Sequence, residues 1–180
     1  MNEKSTFWKT SITNGAILGI ALIIYSVLLF IFDLSMNKSL GYINYVILLA
    51  GLIWFTKSYR DNNMGGIISY GQALGFGTMV VVFAALISGI YGYIFMKFID
   101  PSIIDKIIAL GEEEMLKRGM SDEQIEMAQS MQKNFMNPGF INIMGFVVTS
   151  IWGFVLALIT SAFIKKEGDP FKTAMQETGE

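Results

Sequence analysis

GGIISYGQALGFGTMVVVFAALISGIYG, residues Gly65 to Gly92, is the stretch on which the fold turns. It follows Asp61, Asn62 and Asn63, and Asn, Asp and Gly together favour a chain reversal because they tolerate backbone conformations that other residues avoid. From Ala73 no Asp, Glu, Lys or Arg occurs until Lys97, about 24 residues. A helix needs only about 20 to cross a hydrocarbon core about 30 Å thick. The stretch therefore reads as a turn feeding a transmembrane helix. Within it Gly71 and Gly75, Ala73 and Gly77, Ala85 and Gly89, and Ser88 and Gly92 each stand four apart. Small residues at that spacing let another backbone come close.

Outward from this span, the chain repeats the theme. Its 180 residues are 53% hydrophobic and 16% charged, with a mean hydropathy of +0.51, far from a soluble globular balance. We expect an all-α, polytopic integral membrane protein: a single membrane domain over 1–180 with four transmembrane helices at about 10–32, 41–57, 71–98 and 140–164. An extramembrane helical hairpin at about 100–138 lies between spans three and four, and a short polar tail occupies 165–180.

The first span is preceded by Lys4, Phe7, Trp8 and Lys9, residues suited to headgroup depth. It is too long for a signal peptide core and lacks a cleavage pattern after Phe32. Gly15 and Gly19 form a GxxxG pair within it. Asn14 needs a partner in lipid. With spans one and three starting at the same surface, Asn14 and Gln72 fall at similar depth, placed either to bond each other across the bundle or to serve their own helices. The final span carries Gly145, Thr149, Gly153, Ala157 and Ser161 at every fourth residue, an unbroken ridge expected to lie against another span or another subunit. Trp152 beside it reads as a groove filler.

In the hairpin, Asp100-Pro101 reads as a helix start. Ile103, Ile104, Ile107, Ile108 and Met115 form its apolar stripe, and Gly119 suits its end. Ser121-Asp122-Glu123-Gln124 reads as a capping box for a second helix with Ile125, Ala128, Met131, Gln132 and Phe135 on one face. Asn137-Pro138-Gly139 is expected to close it.

Composition also excludes. The absence of Cys and His removes disulfides, thiolate zinc sites, cysteine nucleophiles, histidine bases and imidazole ligation. Ser26, Ser88, Ser150 and Ser161 have no base to activate them. We therefore expect no enzyme, no catalytic or metal residues and no cofactor. A net charge of -2 without a basic patch argues against nucleic acid. Met115, Met120, Met127, Met131 and Met136 offer thioethers to copper(I), but methionine on an amphipathic helix is usually packing. Glu112, Glu113 and Glu114 point in different directions on a helix and do not form a calcium site.

Four spans put both termini on one side with Lys4, Lys9, Lys57, Arg60, Lys165, Lys166 and Lys172, whereas the segment from Lys97 to Asn137 dilutes its basic residues with acids. The basic side is expected to face the cytoplasm, with the hairpin outside. The order of spans, the entry GGIISYGQALGFG and the Asp100-Pro101 start together resemble an uncharacterised family of four-span bacterial membrane proteins, domain of unknown function 4199. The resemblance implies the same architecture in a bacterial inner membrane and brings no activity, ligand or catalytic residue. The functional expectation is thus an assembly component whose partners are the lipid bilayer and either a second copy or another membrane protein. A transporter or channel component for a small solute is the alternative, without the intramembrane acids and bases of proton-coupled carriers.

Overall fold

The computed structural model describes residues 3–132 and 135–166; the side chains of Glu3, Lys4 and Gln132 are likewise outside the described set. The tail beyond Lys166, Lys172 included, and the side-chain roles expected of Lys4 and Gln132 lie outside the described residues. Among the described residues seven α-helices run in the order α1 (Glu3–Ile31), α2 (Lys38–Gly41), α3 (Ile43–Asn63), α4 (Tyr70–Ile94), α5 (Ile103–Lys117), α6 (Asp122–Gln132) and α7 (Pro138–Ile164). Among the described residues there are no strands, and four helical segments are long and apolar enough to cross a membrane: Ser5–Ile31, Lys38–Asn63, Tyr70–Ile99 and Pro138–Ile164. The chain is a multi-pass membrane protein.

α4 is the axis. In its most apolar stretch 39% of residues are buried inside the protein, against 17% in each of the other three spans. α1 lies parallel to it: side chains added at Gly15 would meet Val80 and Phe83, and at Gly19 would meet Ala84 and Ile87. α7 runs antiparallel, pairing Asn142 with Gly92, Gly153 with Val81 and Ala157 with Gly77. α3 closes the bundle through Leu52 and Thr56 against Gly77, and through Gly51 against Leu18. Lipid offers little hydrophobic drive for helices to associate, so close approach at small residues and the resulting van der Waals contact hold such a bundle together.

Helix boundaries follow from local chemistry. α3 continues to Asn63, past the expected end near 57, because its last turns are amphipathic: Thr56 and Tyr59 are buried while Lys57 and Asp61 reach outward. The reversal sits at Gly65 (φ 61°) and Gly66 (φ 84°), the left-handed region that glycine enters without strain. α4 then starts on a capping box: the Ser69 hydroxyl accepts from the Gln72 N–H (3.3 Å), and the Gln72 side-chain oxygen accepts from the Ser69 N–H (2.9 Å). α1 ends differently. Asp33 takes φ 56°, its N–H donates to Phe30 O (3.0 Å) and the Leu34 N–H to Leu29 O (2.7 Å), the two bonds of a Schellman turn with aspartate where glycine is usual.

Three hairpin expectations need correction. α5 begins at Ile103, two residues after Pro101, because the Asp100 carboxylate is taken up by the Ser102 hydroxyl and by Lys106 Nζ (3.1 Å) instead of capping. Asn137-Pro138 opens α7 rather than only closing α6: Asn137 Oδ1 accepts from the Phe140 N–H (2.9 Å), with proline in the first turn. Met131 and Phe135, expected on the same face as Ile125, are exposed while Ile125 is buried. The turn at Gly119 (φ 74°) completes a Schellman motif, and Ser121 and Gln124 form a second capping box (3.4 and 3.0 Å).

Candidate functional site

Most of the small-residue positions singled out in the sequence are absorbed into the bundle. Gly15 and Gly19 lie against α4, and Gly153, Ala157 and Ser161 are buried on the α7 face turned to it. A methyl group at Gly153 would overlap the Val81 side chain. The ridge stops there: Gly145 is exposed with no atom within 4 Å of where a side chain would begin, and Thr149 turns into a cleft. Gly71 and Gly75 likewise meet no neighbour within the chain, because they lie on a side of α4 turned away from the buried Ala73, Phe76 and Gly77.

Of the two placements read for Asn14 and Gln72, the bond across the bundle does not form. Gln72 is engaged in its own helix cap, Asn14 is half-buried, and no hydrogen bond joins them. The intramembrane amide that does bridge helices is Asn142, which the sequence reading passed over. Its Nδ2 donates to Pro138 O (2.8 Å) and approaches Met96 Sδ (3.5 Å), while its Oδ1 lies on Gly92. The signal was available: Asn142 is a lone amide in an apolar span, four residues after a proline whose carbonyl it satisfies.

The two ends of the bundle differ. At the end holding the α3–α4 turn, the Tyr59 and Phe76 rings stack (4.0 Å, 7°), with Phe7 edge-on to both at 6.2 and 6.0 Å. Ile68 and Lys166 exchange two backbone hydrogen bonds of 3.0 Å, and Arg60 Nη1 donates to Ile164 O (3.1 Å) while its other nitrogens hold Asp61. Phe76, Leu52, Ile68 and Val80 are sealed from solvent there.

At the hairpin end lies a cleft of about 470 Å³, within the range of small-molecule sites. All four spans and the hairpin line it: Ser26 from α1, Asn44 and Tyr45 from α3, Ser88 and Tyr91 from α4, Ile103 and Ile107 from α5, Thr149 and Trp152 from α7. No Asp, Glu, Lys or Arg is among the lining residues. The Ser88 hydroxyl donates to Ala84 O (2.5 Å); Ser26, Asn44 and Thr149 spend no side-chain hydrogen bond within the described residues. Trp152, expected to fill a groove, forms part of this wall instead. One side of the cleft is made by Phe95 and Met96, which belong to a π-helical turn, Phe95–Ile99, closed by the Asp100 N–H donating to Phe95 O (2.9 Å). Such turns inside α-helices frequently occur at functional sites.

The metal readings gain nothing. Among the described residues no group of three acids, His or Cys is placed to hold an ion. Glu112 bonds Gln129, Glu113 pairs with Lys117 and Glu114 with Lys38, so the three consecutive carboxylates diverge as helix geometry requires. Met127 and Met131 are exposed on α6.

A family model described as protein of unknown function (DUF4199) matches residues 13–166. The chain belongs to this family. No curated protein and no solved structure matches it.

Proposed function

We propose that this member of the DUF4199 family is a non-enzymatic membrane protein that binds a small uncharged amphiphile in the cleft at its hairpin end. The observation that carries the reading is the wall chemistry: unspent neutral donors and acceptors on Ser26, Asn44 and Thr149 beside the aromatic faces of Tyr91, Phe95 and Trp152, with no charge among them. A charged ligand would enter such a site unpaired, at a cost of several kcal/mol. A neutral one that brings its own hydroxyls or carbonyls would not. The sealed aromatic layer at the opposite end argues for binding rather than an open channel, and a transport role would require that layer to rearrange.

Seven basic residues on the terminal side against six on the hairpin side favour cytoplasmic termini and an extracytoplasmic cleft in a bacterial inner membrane. A second reading, association with a further copy or another membrane protein, is favoured by the open surfaces at Gly71, Gly75 and Gly145.

The test uses the chain in nanodiscs with Trp8→Phe and Trp54→Phe, leaving Trp152 as the reporter. A monoacylglycerol with a brominated chain is expected to quench its emission saturably, and Asn44→Leu to weaken that saturation several-fold. Quenching that rises linearly, equally for brominated stearate and unchanged by Asn44→Leu, would refute the reading.

A further inference from the structure

We propose that α5 is a lid on the cleft, hinged at the π-helical turn and Asp100 and latched by the ion pair between Lys38 and Glu114. The inference rests on the cleft described above but not on what the cleft binds.

Three observations converge. First, α5 reaches the cleft with Ile103 and Ile107, so its N-terminal turns form one wall while its C-terminal half extends away from it. Second, the wall joins the membrane span through a stretch in which the helical hydrogen-bond pattern changes twice. α4 passes into the π turn Phe95–Ile99, then breaks at Asp100 (φ -135°, ψ 81°) before α5 starts. A change of pattern in so few residues is where a rigid helix is able to pivot. Asp100 holds the turn by accepting from the Ser102 hydroxyl and from Lys106 Nζ.

Third, the far half of α5 is tethered to the opposite rim. Lys38 opens α2, at the very start of the second spanning segment, and its Nζ donates to Glu114 across 76 residues of sequence. That rim is itself fixed, since the Tyr25 hydroxyl donates to Leu40 O (2.9 Å) and Asn37 Oδ1 accepts from the Ser39 and Leu40 N–H groups. Ser35, Met36 and Gly41 from the same connection line the cleft. The latch therefore ties the half of α5 beyond the cleft to a connection whose residues line it. Its side chains are 62% and 40% exposed, so it is a weak, salt-screened contact. That suits a lid that must open, and a buried pair would not.

Because the chain has no cysteine, the lid is testable by thiol accessibility in the full-length protein. Ser88→Cys places a thiol in the cleft, and its rate of modification by a membrane-impermeant methanethiosulfonate is the readout. With the latch intact the rate is slow. Lys38→Gln or Glu114→Gln is expected to raise it about two- to fivefold, the range for an exposed pair, and the swapped pair Lys38→Glu with Glu114→Lys to bring it back. The same series read at Ser26→Cys guards against a local failure at Ser88. Unchanged rates in both single variants would overturn the lid, and acceleration that the swapped pair does not reverse would overturn the latch. Neither outcome depends on whether the neutral amphiphile binds.

Discussion

The two ends of the bundle solve the same problem in opposite ways. Around the α3–α4 turn, helices meet at glycine and alanine, rings stack at 4.0 Å, and Ile68 and Lys166 lock two chain segments by backbone hydrogen bonds. At the hairpin end the same four helices leave a cleft of about 470 Å³ lined by hydroxyls, an amide and aromatic rings. Water does not drive apolar groups together inside a bilayer, so rigidity there must come from close packing and satisfied polar groups. Concentrating that packing at one end lets the other keep a void and a change of helix type without losing the fold. Local stability need not be uniform, and binding regions are drawn from its lower end.

The largest expected effect sets one small-residue ridge against itself. Gly153→Leu drives a branched side chain into Val81, where α4 and α7 touch. It should cost about 3 kcal/mol, seen as lost monodispersity and a lower melting temperature in detergent. Gly145→Leu, two turns along the same face, meets nothing within the chain and should leave the melt unchanged. If Gly145→Leu instead changes the oligomeric mass, the open end of the ridge is an interface between copies. Equal melting of the two variants would break the contrast between the ends.

A smaller effect sharpens it. The two capping boxes are chemically alike, Ser69 with Gln72 at the packed end and Ser121 with Gln124 in the hairpin. Ser69→Ala should lower the global melting temperature, because α4 is the axis on which every span packs; loss of a cap is worth about 1 kcal/mol. Ser121→Ala removes as much from α6, yet should show only as faster hydrogen exchange in residues 122–132. A global effect of equal size from Ser121→Ala would mean that the hairpin folds as one unit with the spans.

These contrasts also mark how far the residues alone could be read. The four spans were legible because lipid forbids unpaired backbone and leaves long uncharged runs as its signature. Spacing by four named the right kind of residue on α1, α4 and α7, but it carries no register between helices: nothing local to Gly145 or Gly71 says that no helix lies against them. The box at Ser69 was legible by the same rule that identified Ser121, and service to its own helix was one of the two placements read for Gln72. The π turn at Phe95–Ile99 has no proline or glycine to announce it. The cleft is a property of what the helices fail to fill, and only their assembly defines it.

The smallest expected effect is electrostatic and acts on the turn and the latch of the hairpin end. The Ser102 hydroxyl, then Lys106, hold the Asp100 carboxyl below the ordinary carboxylate range, and Lys38 does the same for Glu114. Since these groups are easier to ionise in the folded chain than in the unfolded one, their contribution is fully present above the unfolded values, about 4. It is lost as pH falls through the lower folded values. Both carboxylates meet solvent, so the contribution is modest and should shrink further in salt. At the other end Arg60 likewise holds the exposed Asp61 carboxyl low, at a pair that touches neither Trp8 nor its ring partners, and the Ile68–Lys166 backbone bridge carries no titrating group. Two single-tryptophan variants separate the ends: Trp152 lines the cleft, whereas Trp8 packs edge-on to Phe7 and Phe83. Below about pH 4, emission from Trp152 should shift reversibly while that from Trp8 stays constant. A simultaneous shift of both would show that acid loosens the whole bundle, and that the division between a packed end and a yielding one is not energetic.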